Sequence, residues 1–217
     1  MSIQSVINLA GSIKFDRRRV VGVQYSRNEI AYRSETPTRN PWRLTVDVNA
    51  VIPYANGRSI IEELDRKDRT IPEVVNLTNS RLLTYQGGLS AGNRAGITVQ
   101  TFTGTNLVLT NLPSVSSSTV LLAKGDFIQI ANKYYPFTST SDVLRGSGTS
   151  VSVTTHRANF ISDSVVGSTL AYGASCQFNL FCPNMPTYTI IPGGSGNLIK
   201  FDTTFELVES TGTEGLL

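Results

Sequence analysis

Apolar and polar residues alternate along this chain in short runs, and only one segment shifts to a helical period. Over 42–48, Trp42, Leu44, Val46 and Val48 fall on one side while Arg43, Thr45 and Asp47 fall on the other. That strict period of two predicts a strand with one buried face. The run 22–31 predicts its hairpin partner, with Pro37 and Pro41 marking the turn between them. The same alternation returns at 198–208, where Ile199, Phe201, Thr203, Phe205 and Leu207 share a side. One long final strand returning to the first sheet is therefore predicted. Segment 54–69 follows Pro53 and places Gly57, Ile60, Ile61 and Leu64 on one side at helical spacing. Glu62/Arg66, Glu63/Lys67 and Asp65/Arg69 are i, i+4 pairs in the favourable acid-first order, which suits a solvated outer helix face.

The middle of the chain reads as β-structure with frequent turns. After a short strand at 74–77, residues 86–96 (QGGLSAGNRAG) predict a linker or loop, and they lack the Gly-x4-Gly-Lys pattern of a phosphate loop. Segments 97–103 and 106–112 predict a hairpin about Gly104. Residues 119–157 carry three β-runs, at 121–130, 134–138 and 151–155, with turn signals at Lys124-Gly125-Asp126 and Ala131-Asn132-Lys133. A meander this short cannot bury a flat face alone, so it is expected to curl into a small barrel. Further strands are predicted at 174–181 and 187–191, separated by Pro183 and Pro186.

Composition narrows the function classes. A chain of 217 residues holds one sizeable core or two small ones. Only 16% of it is charged, below the usual quarter, which suits a β-rich protein whose sides are covered by neighbours. The net charge of +3 is too mild for a dedicated nucleic-acid binder, and the one basic run is Arg17-Arg18-Arg19. Those three, with Arg66 and Arg69, are expected at subunit interfaces. Cys176 and Cys182 are six apart, so on one strand they lie roughly 20 Å from each other, beyond disulfide reach. Free buried thiols are expected. Residues 1–10 lack a basic n-region and a long apolar core, so no secretory signal is expected, and no apolar run has the length of a membrane span.

Catalytic constellations are hard to assemble from these residues. The single histidine, His156, has Asp126, Asp142 and Asp163 available, but no Gly-x-Ser-x-Gly elbow accompanies it. With only two cysteines and this histidine, a metal site lacks ligands. Glu206 and Glu209 stand three apart on a predicted strand and so point to opposite faces, unlike a glycosidase pair. No cofactor, metal or catalytic residue is expected, and the chain is not expected to be an enzyme. The best small-molecule surface is Asn132, Lys133 and Tyr134, where an aromatic ring beside polar groups suits sugar stacking.

The segment KGDFIQIANKYYPFTSTSDV…GTSVSVTTHR resembles a barrel segment that recurs in distal tail and baseplate-hub proteins of tailed bacteriophages. Its pattern is Gly-Asp, three apolar residues, Gly-x-x, two apolar residues, x and Val. Here Gln129 interrupts the apolar run, and Asn132 stands near the position of the second glycine. Those proteins place a strand, an amphipathic helix and a Gly-rich linker before the barrel, as 42–48, 54–69 and 86–96 do, and close on a strand near a Glu, as 197–209 does. The resemblance implies a mainly β protein, a tail-tube-like β-sandwich with one packed α-helix plus an inserted small β-barrel. The sandwich would comprise 1–82 and 191–217 with the helix 54–69, and the inserted barrel 83–190. It further implies a homo-oligomeric ring, six-fold in that family, at the distal end of a tail tube in the virion, assembled in the host cytoplasm. Tail tube protein on one side and baseplate hub or spike protein on the other would be its partners, with no membrane and no specific nucleic acid. A tube-initiator or completion protein of the same tail is a related reading. The alternative from another class is a carbohydrate-binding module contacting host-surface glycans through Asn132, Lys133 and Tyr134.

Overall fold

The computed structural model describes residues 2–16, 21–25, 31–35, 41–66, 71–77, 83–161, 163–193 and 196–211, with residues 2, 21–25, 31–35 and 66 described by backbone alone. From the N-terminus the elements are α1 (Ser2–Asn8), β1 (Ser12–Asp16), β2 (Val21–Tyr25), β3 (Ala31–Glu35), β4 (Arg43–Asp47), β5 (Ile52–Pro53), α2 (Tyr54–Arg66) and β6 (Glu73–Asn76). Next come α3 (Ala91–Ala95), β7 (Thr98–Thr103), β8 (Asn106–Thr110), β9 (Val120–Leu122), β10 (Phe127–Ile130), β11 (Phe137–Thr138), β12 (Val143–Leu144), β13 (Ser150–Thr154) and β14 (Leu170–Tyr172). The last four are β15 (Gln177–Asn184), β16 (Tyr188–Ile191), β17 (Leu198–Phe201) and β18 (Phe205–Glu209). The protein is mainly β, with several antiparallel sheets. Among the described residues no helix is long and apolar enough to cross a membrane.

The chain forms two compact units. The first gathers Met1–Arg18, Pro41–Val75 and Phe178–Leu217 around a five-stranded sheet in the order β1-β4-β18-β15-β6. Early and late strands meet there, with Leu44 opposite Leu207 and Val46 opposite Phe205. The alternation anticipated for 42–48 holds: Trp42, Leu44, Val46 and Val48 are buried and Arg43 is exposed. Trp42 packs edge-on against Phe178 of β15, with ring centroids 6.2 Å apart. The expected hairpin partner was wrong, however. β4 pairs with β1 on one side and β18 on the other, while β2 pairs with β3 in a hairpin of its own. Ser12–Asp16 alternates well enough to be a strand, and Phe15 reaches the Trp42 ring at 6.3 Å.

The final strand also differs from expectation, because 198–208 is two strands. β17 joins a separate three-stranded sheet, β16-β17-β5, and β18 joins the large one. The chain turns at 202–204, where polar groups hold it. The Asp202 N–H donates to Thr187 O at 2.8 Å, the Thr189 hydroxyl donates to the Asp202 carboxylate at 2.7 Å, and the Thr187 N–H donates to Thr203 Oγ1 at 3.1 Å. The two-residue phase survives the break, since Ile199, Phe201, Phe205 and Leu207 are all buried while Thr203 is exposed.

Two helices complete this unit. In α2, Ile60 and Leu64 are buried and Ile61 is half-buried. Gly57 lies so close to β17 that a Cβ there would overlap Ile199 Cγ2. On its exposed side Arg58 and Glu62 form an i, i+4 pair at 3.5 Å. The three acid-first pairs anticipated for this helix involve side chains outside the described residues. Sequence reading did not anticipate α1, which buries Ile3, Val6 and Ile7 at helical spacing. Its Ile3 and Gln4 N–H groups donate to the Glu73 carboxylate of β6, at 3.3 and 3.4 Å. Glu73 thereby satisfies donors that a helix start leaves unpaired.

The second unit comprises Arg19–Asn40 and Asn76–Gln177. It ends at Gln177 where the sequence placed the boundary at 190, because β15 alternates Phe178, Leu180 and Cys182 into the first unit's core and pairs with β18. The β7–β8 hairpin turns at Gly104, whose φ of 56° lies in the left-handed region that glycine tolerates. β13 adds to β8, β10 lies between β11 and β14, and β9 pairs with β12. The pairing is thus not a meander in chain order. These small sheets share one apolar cluster that includes Ile97, Leu107, Leu109, Ile128, Phe137 and Val153. The predicted run 134–138 contributes only Phe137–Thr138 to a sheet. Asn132 and Tyr134 stand at φ 63° and 47°, and Pro136 has no N–H to donate, so the chain before Phe137 cannot form a ladder. Within the expected loop 86–96, α3 forms where Ser90 Oγ accepts the Asn93 N–H at 3.3 Å, an N-cap.

Candidate functional site

Of the chemistry-bearing groups singled out above, His156, Asp126, Asp142, Asp163 and Glu209 each have a partner within the chain. Thr138 N–H donates to His156 Nδ1 at 2.9 Å, so in the neutral ring that nitrogen is the acceptor and carries no proton. Asp126 is buried and accepts three backbone N–H groups, from Gln86 at 2.8 Å, Gly87 at 3.1 Å and Ala123 at 2.9 Å. It ties the Gly-rich segment to the turn at Lys124-Gly125. The Asp142 carboxylate accepts the Lys124 N–H at 2.7 Å. Asp163 holds the Lys133 ammonium at 2.5 Å, and that contact lowers the Asp163 pKa below its ordinary value. Glu206 is exposed, whereas Glu209 is fully buried and accepts the Trp42 N–H at 3.0 Å, so the two carboxylates do not converge.

Arg157, next to the histidine, is 1% exposed. Its guanidinium lies over the Phe137 and Phe160 rings at 5.0 and 4.8 Å and donates to Pro136 O at 2.9 Å. A buried cation held by two rings and a carbonyl is a packing element of the second unit's core. The sequence offered little sign of it beyond an arginine at the end of an apolar-alternating strand.

The surface considered for sugar contact is only partly open. Asn132 is exposed at a left-handed turn position, Lys133 is engaged by Asp163, and Tyr134 is half-buried. Tyr135 packs edge-on against Phe160 at 5.0 Å, so the two adjacent tyrosines do not make a joint stacking platform. A second aromatic group escaped the sequence reading. Arg94 of α3 sits 4.0 Å above the Tyr85 ring and 5.6 Å from the Tyr172 ring, and those rings meet edge-on at 5.9 Å. The Tyr85 hydroxyl donates to Leu121 O at 2.5 Å. Burial raises the pKa of both phenols, and that of the Cys176 thiol, above their ordinary values. Both cysteines are free and buried.

Of the anticipated interface arginines, Arg17, Arg18, Arg19 and Arg69 lie outside the described residues, and Arg66 is described only as the backbone end of α2. Among the described residues, exposed apolar side chains of the first unit gather on the sheet β16-β17-β5. Ile52 and Ile199 are buried on it, on the side where Ile199 meets Gly57 of α2. In register with Ile199 and Phe201, the edge strand β16 presents Ile190 and Tyr188 at 45% and 42% exposure. The apolar layer therefore continues onto β16 without cover. Ile191 and Leu198 are exposed on the opposite face. The sequence signal for this surface was a short uncharged strand bracketed by Pro186 and Pro192.

No protein-family model matches the chain, and no curated protein matches it.

Proposed function

We propose that this chain is a structural subunit of a bacteriophage tail, a ring former at the distal end of the tail tube that joins the tube to the baseplate hub or spike. The observation that carries this reading is the first unit. Early and late parts of the chain build one sheet, α2 packs beside it on β17, and the β-rich segment 76–177 is inserted between them. A sheet of early and late strands with a long insertion supports the reading, while Arg19–Asn40, expected in the sandwich, belongs with the second unit. The work done is mechanical. Subunits related by a closing rotation form the ring, and its two ends meet different partners. The commitment of His156, Asp126, Asp142, Asp163 and Glu209 to hydrogen bonds and ion pairs within the chain supports a non-enzymatic role.

The test is assembly with the tail tube protein encoded in the same genome. Electron microscopy of the mixture is expected to show rings coaxial with one tube end and the chain at that end alone. A protein that stays monomeric beside intact tubes and labels no tube end would refute the proposal.

A further inference from the structure

Asn56 and Gly57 form the one Asn-Gly pair in the chain, and they lie in the first turn of α2. Such a pair carries its own chemistry. In an open chain the backbone nitrogen that follows an asparagine attacks the side-chain Cγ and closes a five-membered succinimide. The bond from Cγ to the amide nitrogen breaks, and that nitrogen leaves as ammonia with the proton of the attacking N–H. Glycine in the second place leaves the attacking nitrogen unhindered and the backbone free to turn toward the ring. Water then opens the succinimide at either carbonyl. Opening at Cγ gives aspartate, and opening at the backbone carbonyl gives isoaspartate, whose main chain runs through the former side chain.

The fold fixes the glycine and at the same time withholds the reaction. Gly57 is buried, and a Cβ there would overlap Ile199 Cγ2, so packing on β17 requires glycine at this position. The Asn56 side chain is exposed, and water reaches it. Within the helix, however, the Gly57 N–H is directed back toward the Pro53 carbonyl in the i to i−4 pattern. Helical ψ at Asn56 also keeps the Gly57 nitrogen out of line with the neighbouring Cγ. The turn is tied to β17 at its start. Ile52 and Pro53 pair with Ile199 and Leu198, and the Tyr54 N–H donates to Asn197 O at 2.9 Å. Attack on Cγ therefore requires this turn to unwind and Gly57 to leave Ile199.

We propose that Asn56 is a deamidation site gated by the first turn of α2, closed while the turn is docked on β17 and open when it detaches. The two products differ in what they allow afterwards. Aspartate at 56 keeps the main chain and adds a negative charge in the first turn of a helix, where the dipole favours it. Isoaspartate lengthens the main chain by one methylene just before Gly57. The glycine then no longer falls opposite Ile199, and the turn cannot dock again as before. Isoaspartate at 56 is thus a lasting mark on chains whose α2 has left β17. Nothing in this device depends on how copies of the chain assemble.

The full chain is incubated in mildly alkaline buffer, with and without concentrated urea. Peptide mass spectrometry reads the conversion of amide to acid, and an isoaspartate-specific methyltransferase labels the rearranged product. In urea, Asn56 is expected to convert before every other asparagine. In native buffer its conversion is expected to be slower by on the order of tenfold or more, because the rate is scaled by the population of the detached turn. Ile199→Ala removes the atom that meets Gly57, and it is expected to raise the native rate while leaving the rate in urea unchanged. Ile199→Val is the milder substitute should the alanine variant misfold by circular dichroism. After return to native buffer, isoaspartyl chains are expected to unfold at a lower urea midpoint than unmodified ones, whereas Asn56→Asp keeps the wild-type midpoint or exceeds it. Three results would overturn the gate: conversion in native buffer as fast as in urea, another asparagine leading in urea, or a folded Ile199 variant with the wild-type native rate. Isoaspartyl chains with the wild-type midpoint would overturn the lasting mark.

Discussion

Tyr172 is 8% exposed, and its hydroxyl has no hydrogen-bond partner among the described residues. Its ring is well held, edge-on to Tyr85 at 5.9 Å and 5.6 Å from the Arg94 guanidinium. Tyr172→Phe removes the orphaned oxygen and keeps the ring, so it opens almost no cavity. A buried polar group without a partner costs about 1–3 kcal/mol, and relieving the low end of that range should stabilise the second unit by about 1 kcal/mol at neutral pH. A second effect appears in alkali. Burial holds the Tyr172 pKa above its ordinary value of 10.0. Above pH 10 the unfolded chain therefore releases the phenolic proton while the folded chain retains it. Stability then falls with pH, by up to ~1.4 kcal/mol per unit for this one group, and below pH 10 the group contributes no slope. The phenylalanine variant lacks this loss, whereas the Cys176 thiol, also raised by burial, is common to both proteins. Urea denaturation followed by circular dichroism across neutral and alkaline pH should show a constant advantage for the variant up to about pH 9.5 and a widening one above about pH 10. A variant less stable than wild type at neutral pH, or an advantage that ignores pH, would refute the reasoning.

Three further substitutions test packing and the polar tie. Gly→Ala inside a helix ordinarily stabilises by ~1 kcal/mol, yet Gly57→Ala in α2 drives a methyl into fully buried Ile199. Overpacking of ~1–3 kcal/mol should reverse the sign. Gly92→Ala in α3, where a Cβ meets nothing within 4 Å, should keep the ordinary sign, and urea midpoints of the two compare them directly. Asp126→Ala strips the acceptor from the Gln86, Gly87 and Ala123 N–H groups. About 2–4 kcal/mol should be lost, with faster amide exchange at those three residues, and exchange unchanged at all three would count against the tie.

Local periodicity carried much of the fold, and it failed where the determinant was a partner distant in sequence. The two-residue phase of 42–48 and 198–208 follows from one-sided burial, so Trp42, Leu44, Phe205 and Leu207 could be assigned to the core directly. Phase does not register a bend that preserves it. The turn at 202–204 keeps Ile199 and Phe205 on the buried side, and its cause is a set of hydrogen bonds from Thr187 and Thr189, more than ten residues away. Strand partners were equally hidden, since nothing in 22–31 distinguishes a mate for β4 from a mate for β3. The helix α1 was missed because a seven-residue segment is not stable by propensity alone, and its start is capped by Glu73 from β6.

The same distinction explains the site. Sequence alone could weigh His156 and the carboxylates by type and spacing. What neutralises them is long-range: Asp126 meets Gln86 and Gly87, Glu209 meets Trp42, and Lys133 meets Asp163. Polar groups already satisfied by backbone donors lose more by leaving them than a substrate contact easily returns. The first unit's unspent interaction capacity lies instead in backbone edges and apolar side chains. Edge strands are usually guarded by charge, proline or a bulge, because an unguarded one templates further pairing. β16 has prolines before and after it but none within, and no charge, so neither device guards its side away from β17. The first unit thus carries an unguarded edge at β16, with Tyr188 and Ile190 exposed on one face and Ile191 and Leu198 on the other.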